Sequence, residues 1–226
     1  MKVDVFIRSY SGDFEWLGHC LKSCERFLHN FGAVHVVVPE EDISGIQHLT
    51  KERIYAVKDA CSGYMAQQVT KLHADNYTDA DYILHVDSDC VFFVDTKPED
   101  FFDGGKPIML RESGVDSPWN IITQRALGWY DEYEYMRRMP ILYPRWIYKM
   151  VRDWMQTQHG IPLEQYICSQ PGREFSEFNT VGQWAYRYYP NSFVWKNPGE
   201  HPLRCKQFWS WGGIESARQE IEKLLT

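Results

Sequence analysis

Residues 81–93 read DYILHVDSDCVFF, and the reading of the fold starts there. Tyr82, Ile83, Leu84 and Val86, followed by Cys90, Val91, Phe92 and Phe93, leave almost no register for a face in contact with water. A run this continuous belongs to a sheet covered on both sides, the situation of parallel strands in an open α/β domain. Into it are set two carboxylates one residue apart, Asp87 and Asp89, where the strand pattern breaks.

Upstream, strand and helix patterns alternate. VDVFIR (3–8) predicts the first strand; residues 13–31 place apolar side chains at helical spacing, with Gly32 expected to end that helix. AVHVVVP (33–39) and RIYAVK (53–58) predict two more strands, and 63–76 a helix with Met65, Val69, Leu72 and His73 on one side. Downstream, 107–112 and 192–197 are strand-like, while 123–136, 144–159, 177–189 and 214–225 are predicted helices. Tryptophans crowd this second half, Trp119, Trp129, Trp146, Trp184, Trp195, Trp209 and Trp211 among them. The expected class is α/β, a single Rossmann-like domain over 1–226, its mostly parallel central sheet flanked by helices on both faces. In such sheets ligands bind beyond the carboxyl ends of the strands, so the residues just after each strand are the ones to inspect.

With 226 residues, 44% of them hydrophobic, the chain is long enough to bury a real core without a metal or disulfide to hold it. Lys and Arg number 24 against 31 Asp and Glu, a formal charge of −7, with no basic stretch of the kind that reads a phosphate backbone, so nucleic acid is not an expected partner. The six cysteines contain no C-x-x-C and are expected to be free thiols of a reducing compartment. MKVDVFIRSY at the start resembles neither a signal peptide nor an anchor, and apolar runs fall short of the ~20 residues of a membrane span. A soluble, cytoplasmic protein is the expectation.

Asp87 and Asp89 at the end of a buried strand repel each other and are costly to desolvate unless a cation or hydrogen bonds compensate. Hard oxygen ligands suit Mg²⁺ or Mn²⁺, which bridge carboxylates to substrate phosphates. A bare Asp-x-Asp also caps turns and helices. Its place after a buried strand in a series of β-α units favours the ligand site.

Asp87-Ser88-Asp89 in this setting resembles the hallmark of the GT-A class of nucleotide-sugar glycosyltransferases. The resemblance extends to the polar loop Arg8-Ser9-Tyr10 after the first strand, to Gln67, Gln68 and Lys71 on the helix before the motif, to Glu177 in FSEF, and to His201 in GEHPLRC. Within the class it looks like the small virus-encoded enzymes that glycosylate the capsid of large algal viruses, which would place it in the host cytoplasm. The resemblance implies a GT-A domain with a nucleotide-binding half (1–95) and an acceptor-binding half (96–226). It implies Asp89 as primary metal ligand, Asp87 as the supporting one and His201 as a third, with imidazole favouring Mn²⁺ over Mg²⁺. Arg8, Ser9, Tyr10, Gln67, Lys71, Asp87 and Ser88 would bind the nucleotide sugar, Tyr10 or Tyr64 stacking on uracil and Lys71 meeting the diphosphate. Glu177 would face the acceptor and, with Asp89, carry catalysis. The implied reaction moves a sugar from a UDP-sugar donor to a hydroxyl of a glycan or glycoprotein, with retention. A phosphatase or phosphotransferase built on the same motif, a nucleotidyltransferase and a non-catalytic glycan-binding protein are the alternatives. Trp209 and Trp211 beside Gly212-Gly213 are expected to form part of a mobile flap.

Overall fold

The computed structural model describes residues 1–47, 52–61, 63–115 and 117–226. Their strands are β1 Val3–Arg8, β2 Val34–Pro39, β3 Arg53–Val57, β4 Tyr82–His85, β5 Cys90–Phe92, β6 Phe102–Asp103, β7 Lys106–Leu110, β8 Glu112–Ser113, β9 Tyr133–Glu134, β10 Ile141–Pro144, β11 Val194–Lys196 and β12 Cys205–Gln207. The helices are α1 Phe14–Phe27, α2 Ile43–Ile46, α3 Gly63–Leu72, α4 Pro118–Leu127, α5 Trp146–His159, α6 Leu163–Ser169, α7 Glu177–Tyr188 and α8 Arg218–Leu224. The class is α/β, as expected. None of these helices is long and apolar enough to cross a membrane.

The central sheet has the order β10-β4-β1-β2-β3, with β1 to β4 parallel and β10 antiparallel on the edge beside β4. All six residues of β1 are buried. Side chains alternate between the two faces, so both faces of this strand are covered. From β1 the chain adds β2 and β3 on one side and β4 on the other, so the strand order reverses between β1 and β4. That reversal is the topological switch point, where open α/β sheets bind ligands in the crevice between the loops that follow the two strands.

A buried polar group pins β1 to β2. Asp4 accepts hydrogen bonds from His35 Nε2 (2.9 Å), the Ala33 amide (3.0 Å) and Thr78 Oγ1, and these hydrogen bonds overcome the burial that would lift its carboxyl, holding it below the usual range. The role expected of Gly32 is corrected here. Helix α1 ends at Phe27, and Gly32 lies in the turn before β2, where a Cβ would come within 2.0 Å of Asp4 Oδ1. Close approach to a buried carboxylate, not helix termination, requires the glycine.

Other boundaries shift for physical reasons. The helix expected over 123–136 starts earlier and ends sooner: Ser117 Oγ accepts from the Trp119 amide (3.2 Å), Pro118 opens α4, and Gly128 in the left-handed region (φ 78°) closes it. The apolar run 81–93 is two strands. β4 joins the central sheet, whereas β5 leaves it after Asp89 and pairs antiparallel with β12. The C-terminal helix is α8, preceded by short 3-10 turns. One continuous apolar core runs from Val3 to Cys205 and joins the two halves of the sequence.

The expectation of six free thiols is overturned. Cys61 and Cys168 form a disulfide between the segment before α3 and the helix α6, with Cα atoms 5.7 Å apart, while Cys20, Cys24, Cys90 and Cys205 are free and buried. The partners lie 107 residues apart in sequence and meet because α3 and α6 pack together, which no local spacing discloses.

Candidate functional site

The loops after β1 and β4 meet at the switch point. After β4, the chain turns through Asp87-Ser88-Asp89 and enters β5, whose pairing places Gln207 opposite Cys90. Gln207 Nε2 thereby donates to both aspartates, to Asp87 Oδ2 (3.1 Å) and Asp89 Oδ1 (3.1 Å). The Ser210 amide donates to Asp89 Oδ2 (2.9 Å) and the Phe208 amide to the Asp89 carbonyl (3.0 Å). From the loop after β1, Asp13 accepts from Ser88 Oγ (3.2 Å).

Asp89 is nearly buried and has no cationic partner among the described residues. Burial first, and the Asp87 charge second, push its carboxyl up to about 6, only partly offset by the Ser210 amide and Gln207. Asp13 is raised as well, by burial and by Asp87, against hydrogen bonds from Ser210 and Ser88. Asp13, Asp87 and Asp89 thus sit within electrostatic reach of one another, and amide and hydroxyl donors do not discharge Asp13 and Asp89.

On the far side of Asp87 stands Lys71. Its ammonium is 2.8 Å from Asp87 Oδ1 and 3.0 Å from Glu177 Oε1, and it lies over the Phe178 ring at 4.8 Å. Burial alone would lower the Lys71 pKa; the charges of Asp87 and Glu177 reverse that and raise it. Glu177 is the first residue of α7, set by the Ser176 cap, and its amide donates to Gln68 Oε1 (2.9 Å). The lysine therefore welds the motif after β4 to the start of α7. Its fully buried neighbour His85 donates or accepts at Tyr148 Oη (2.6 Å) and is held well below the usual imidazole range by burial and the Lys71 charge, a neutral core histidine.

The other residues singled out in the sequence divide. Arg8 is buried and donates from Nη2 to both Asp59 oxygens, at 2.8 and 3.0 Å, so its guanidinium faces the loop after β3 rather than open solvent. Ser9 is buried, its Oγ without a hydrogen-bond partner among the described residues, and Tyr10 is exposed at the rim. Gln67 is half-buried; the neighbouring Gln68 makes the contact with Glu177. Tyr64 reaches the Phe175 carbonyl (3.4 Å), and burial, with Glu177 and Asp87, lifts its hydroxyl. Trp209 and Trp211 flank Ser210 with 58% and 85% of their surfaces exposed.

His201 is not brought to the aspartates. It lies six residues before Gln207, and the antiparallel β5-β12 ribbon carries that segment away from Asp89, towards Phe93, whose amide bonds the Arg204 carbonyl. The imidazole packs on Phe101 (6.1 Å between ring centres), and burial with Arg138 and Arg204 lowers its pKa to about 4. Among the described residues no group of three or more His, Cys, Asp or Glu side chains is arranged to hold a metal ion. Asp89 nonetheless offers a hard oxygen donor with no cation beside it among the described residues, and Asp87 one whose charge is shared with Lys71, which fits a divalent cation completed by ligand oxygens rather than a closed protein cage.

Asp13, Gln207, Ser210 and Asp59 were not foreseen. Asp13 was visible in the polar loop RSYSGD that follows β1, whereas Gln207 and Ser210 depend on the β5-β12 pairing and carry no sequence signal.

The fold and site together define an open-sheet α/β protein with acidic side chains gathered at its switch point. The chain belongs to DUF6492, a family of unknown function, whose sequence profile matches residues 5–181. The matched span takes in Lys71, Asp87, Asp89 and Glu177 and stops within α7, before Gln207 and Ser210. No curated protein matches the chain.

Proposed function

We propose that the protein is a metal-dependent glycosyltransferase that moves a sugar from a UDP-sugar to a hydroxyl of a glycan or glycoprotein. The observation that carries the reading is the position of Asp87 and Asp89: beyond a buried parallel strand, at the switch point, with the Asp89 charge unmatched by a cation among the described residues. Mn²⁺ or Mg²⁺ held by Asp89 and Asp87 would supply Lewis-acid stabilisation of the departing diphosphate. In this assignment Gln207 and the Ser210 amide hold the two carboxylates in place, which limits the reorganisation needed when charge develops.

The barrier in such a transfer is departure of an anionic diphosphate while positive charge grows at the anomeric carbon. Glu177 lies beyond Asp87, fixed by Lys71 and by its own amide bond to Gln68. From there its carboxylate orients the acceptor hydroxyl, and the departing phosphate takes the proton, which corresponds to retention. Tyr10 at the rim and Tyr64 beside Glu177 offer rings to the base or sugar. Incubation with a panel of UDP-sugars and Mn²⁺, followed by assay of UDP release and of the anomer formed, tests the reading. Turnover of one donor, abolished by Asp89→Ala, is expected; no release of UDP from any donor would sink it.

A further inference from the structure

The mouth of the crevice is acidic. Asp13, Asp59, Asp87, Asp89 and Glu177 gather around it, and the two cations buried there among the described residues are already engaged, Arg8 by Asp59 and Lys71 by Asp87 and Glu177. The diphosphate role expected of Lys71 is therefore hard to fill without breaking both of its ion pairs. An anionic ligand entering this mouth needs a cation that is not already bound.

Arg173 meets that need. It lies in the connection between α6 and α7, where Gly172 takes a left-handed conformation (φ 56°). The connection is fastened behind it by the fully buried Phe175, whose carbonyl receives the Tyr64 hydroxyl, and by the ion pair of Glu174 with Arg125. The Arg173 guanidinium stands 5.3 Å over the Tyr64 ring, is exposed, and makes no ion pair or hydrogen bond among the described residues. The Tyr64 ring beneath it reaches with its hydroxyl to Phe175, two residues before Glu177, so the guanidinium stands beside the start of α7.

We propose, resting on the nucleotide-sugar reading above, that Arg173 is a binding residue for the diphosphate of the donor. A planar guanidinium takes two phosphate oxygens at once, and stacking on Tyr64 restricts the side chain before the ligand arrives, so less freedom is lost on binding. The role divides the work at the site: Asp89 and Asp87 meet the diphosphate through a divalent cation on one side, and Arg173 meets it directly on the other.

The test compares UDP with uridine by calorimetric titration in Mn²⁺ for the parent, Arg173→Ala and Arg173→Lys. The expected result is a ten- to hundred-fold weaker affinity of Arg173→Ala for UDP, with uridine unchanged and partial recovery in Arg173→Lys, because an ammonium restores charge but not the two-point contact. Equal binding of UDP by the parent and Arg173→Ala overturns the role of Arg173 alone. Parallel loss of UDP and uridine also overturns it, since the residue would then serve the nucleoside or the loop. A parent that binds no UDP overturns the nucleotide-sugar reading itself, and this inference with it.

Discussion

Replacing Asp89 with Asn is expected to stabilise the metal-free protein at neutral pH. Burial, with the Asp87 charge behind it, raises the Asp89 carboxyl from an ordinary 3.8 to about 6. That gap is worth about 3 kcal/mol, at roughly 1.4 kcal/mol for each tenfold change in proton affinity. Because the folded-state value lies above the unfolded one, the associated stability is fully present below about pH 4 and is lost as pH rises through about 6. Asn is neutral throughout and keeps an oxygen for the Ser210 amide, so the variant escapes that loss, but its NH2 faces Gln207 Nε2 where a carboxylate oxygen accepted. Losing that hydrogen bond and weakening the one from Ser210 cost about 2 kcal/mol together, leaving a net gain of about 1 kcal/mol above pH 7. Urea unfolding of parent and variant in EDTA, at pH 4 and pH 7.5, reads the effect directly. The difference in unfolding free energy between the two proteins should change by about 2–3 kcal/mol between these pH values, other carboxylates cancelling. A difference that stays constant, or a variant less stable than the parent at pH 7.5, would refute the claim that Asp89 is an uncompensated buried charge.

Lys71→Met should destabilise the fold by about 3–5 kcal/mol in urea unfolding, since it strands the Asp87 and Glu177 carboxylates without their shared cation; a loss below about 1 kcal/mol would show the triad to be solvated. Cys61→Ser with Cys168→Ser should lower stability by about 2–4 kcal/mol, because the bridge closes a loop spanning 107 residues. Addition of reductant should then move the parent's unfolding midpoint and leave the double variant's unchanged. His201→Ala is expected to leave Mn²⁺-dependent UDP binding within about twofold of the parent, since the imidazole lies at the other end of the β5-β12 ribbon; a tenfold loss would return it to the metal shell.

What the sequence discloses follows from how local each signal is. The parallel strands were readable because both faces of β1, β2 and β4 are covered, which writes a continuous apolar run into each. The Asp87-Ser88-Asp89 turn was readable because two charges interrupt such a run. The pairing of Lys71 with Glu177 was not, although both residues were singled out, since it joins α3 to α7 across 106 positions and depends on tertiary packing (177 − 71). Gln207 and Ser210 were missed for the same reason, as only the antiparallel return of β12 along β5 brings them to Asp89. The edge strand β10 reads as a short apolar run after a proline, and nothing local tells that it returns antiparallel beside β4. His201 shows the opposite error: a residue type suited to a metal shell, at a plausible distance along the chain, is carried away by the direction of the strand β12 that follows it.

On the proposed reading, the crevice between the loops after β1 and β4 takes a nucleotide diphosphate through a divalent cation. Titration calorimetry of the parent with UDP and UDP-sugars, each with and without Mn²⁺, should show micromolar binding that requires Mn²⁺ and favours one sugar. Absence of binding to every nucleotide, with Mn²⁺ and without it, would contradict it.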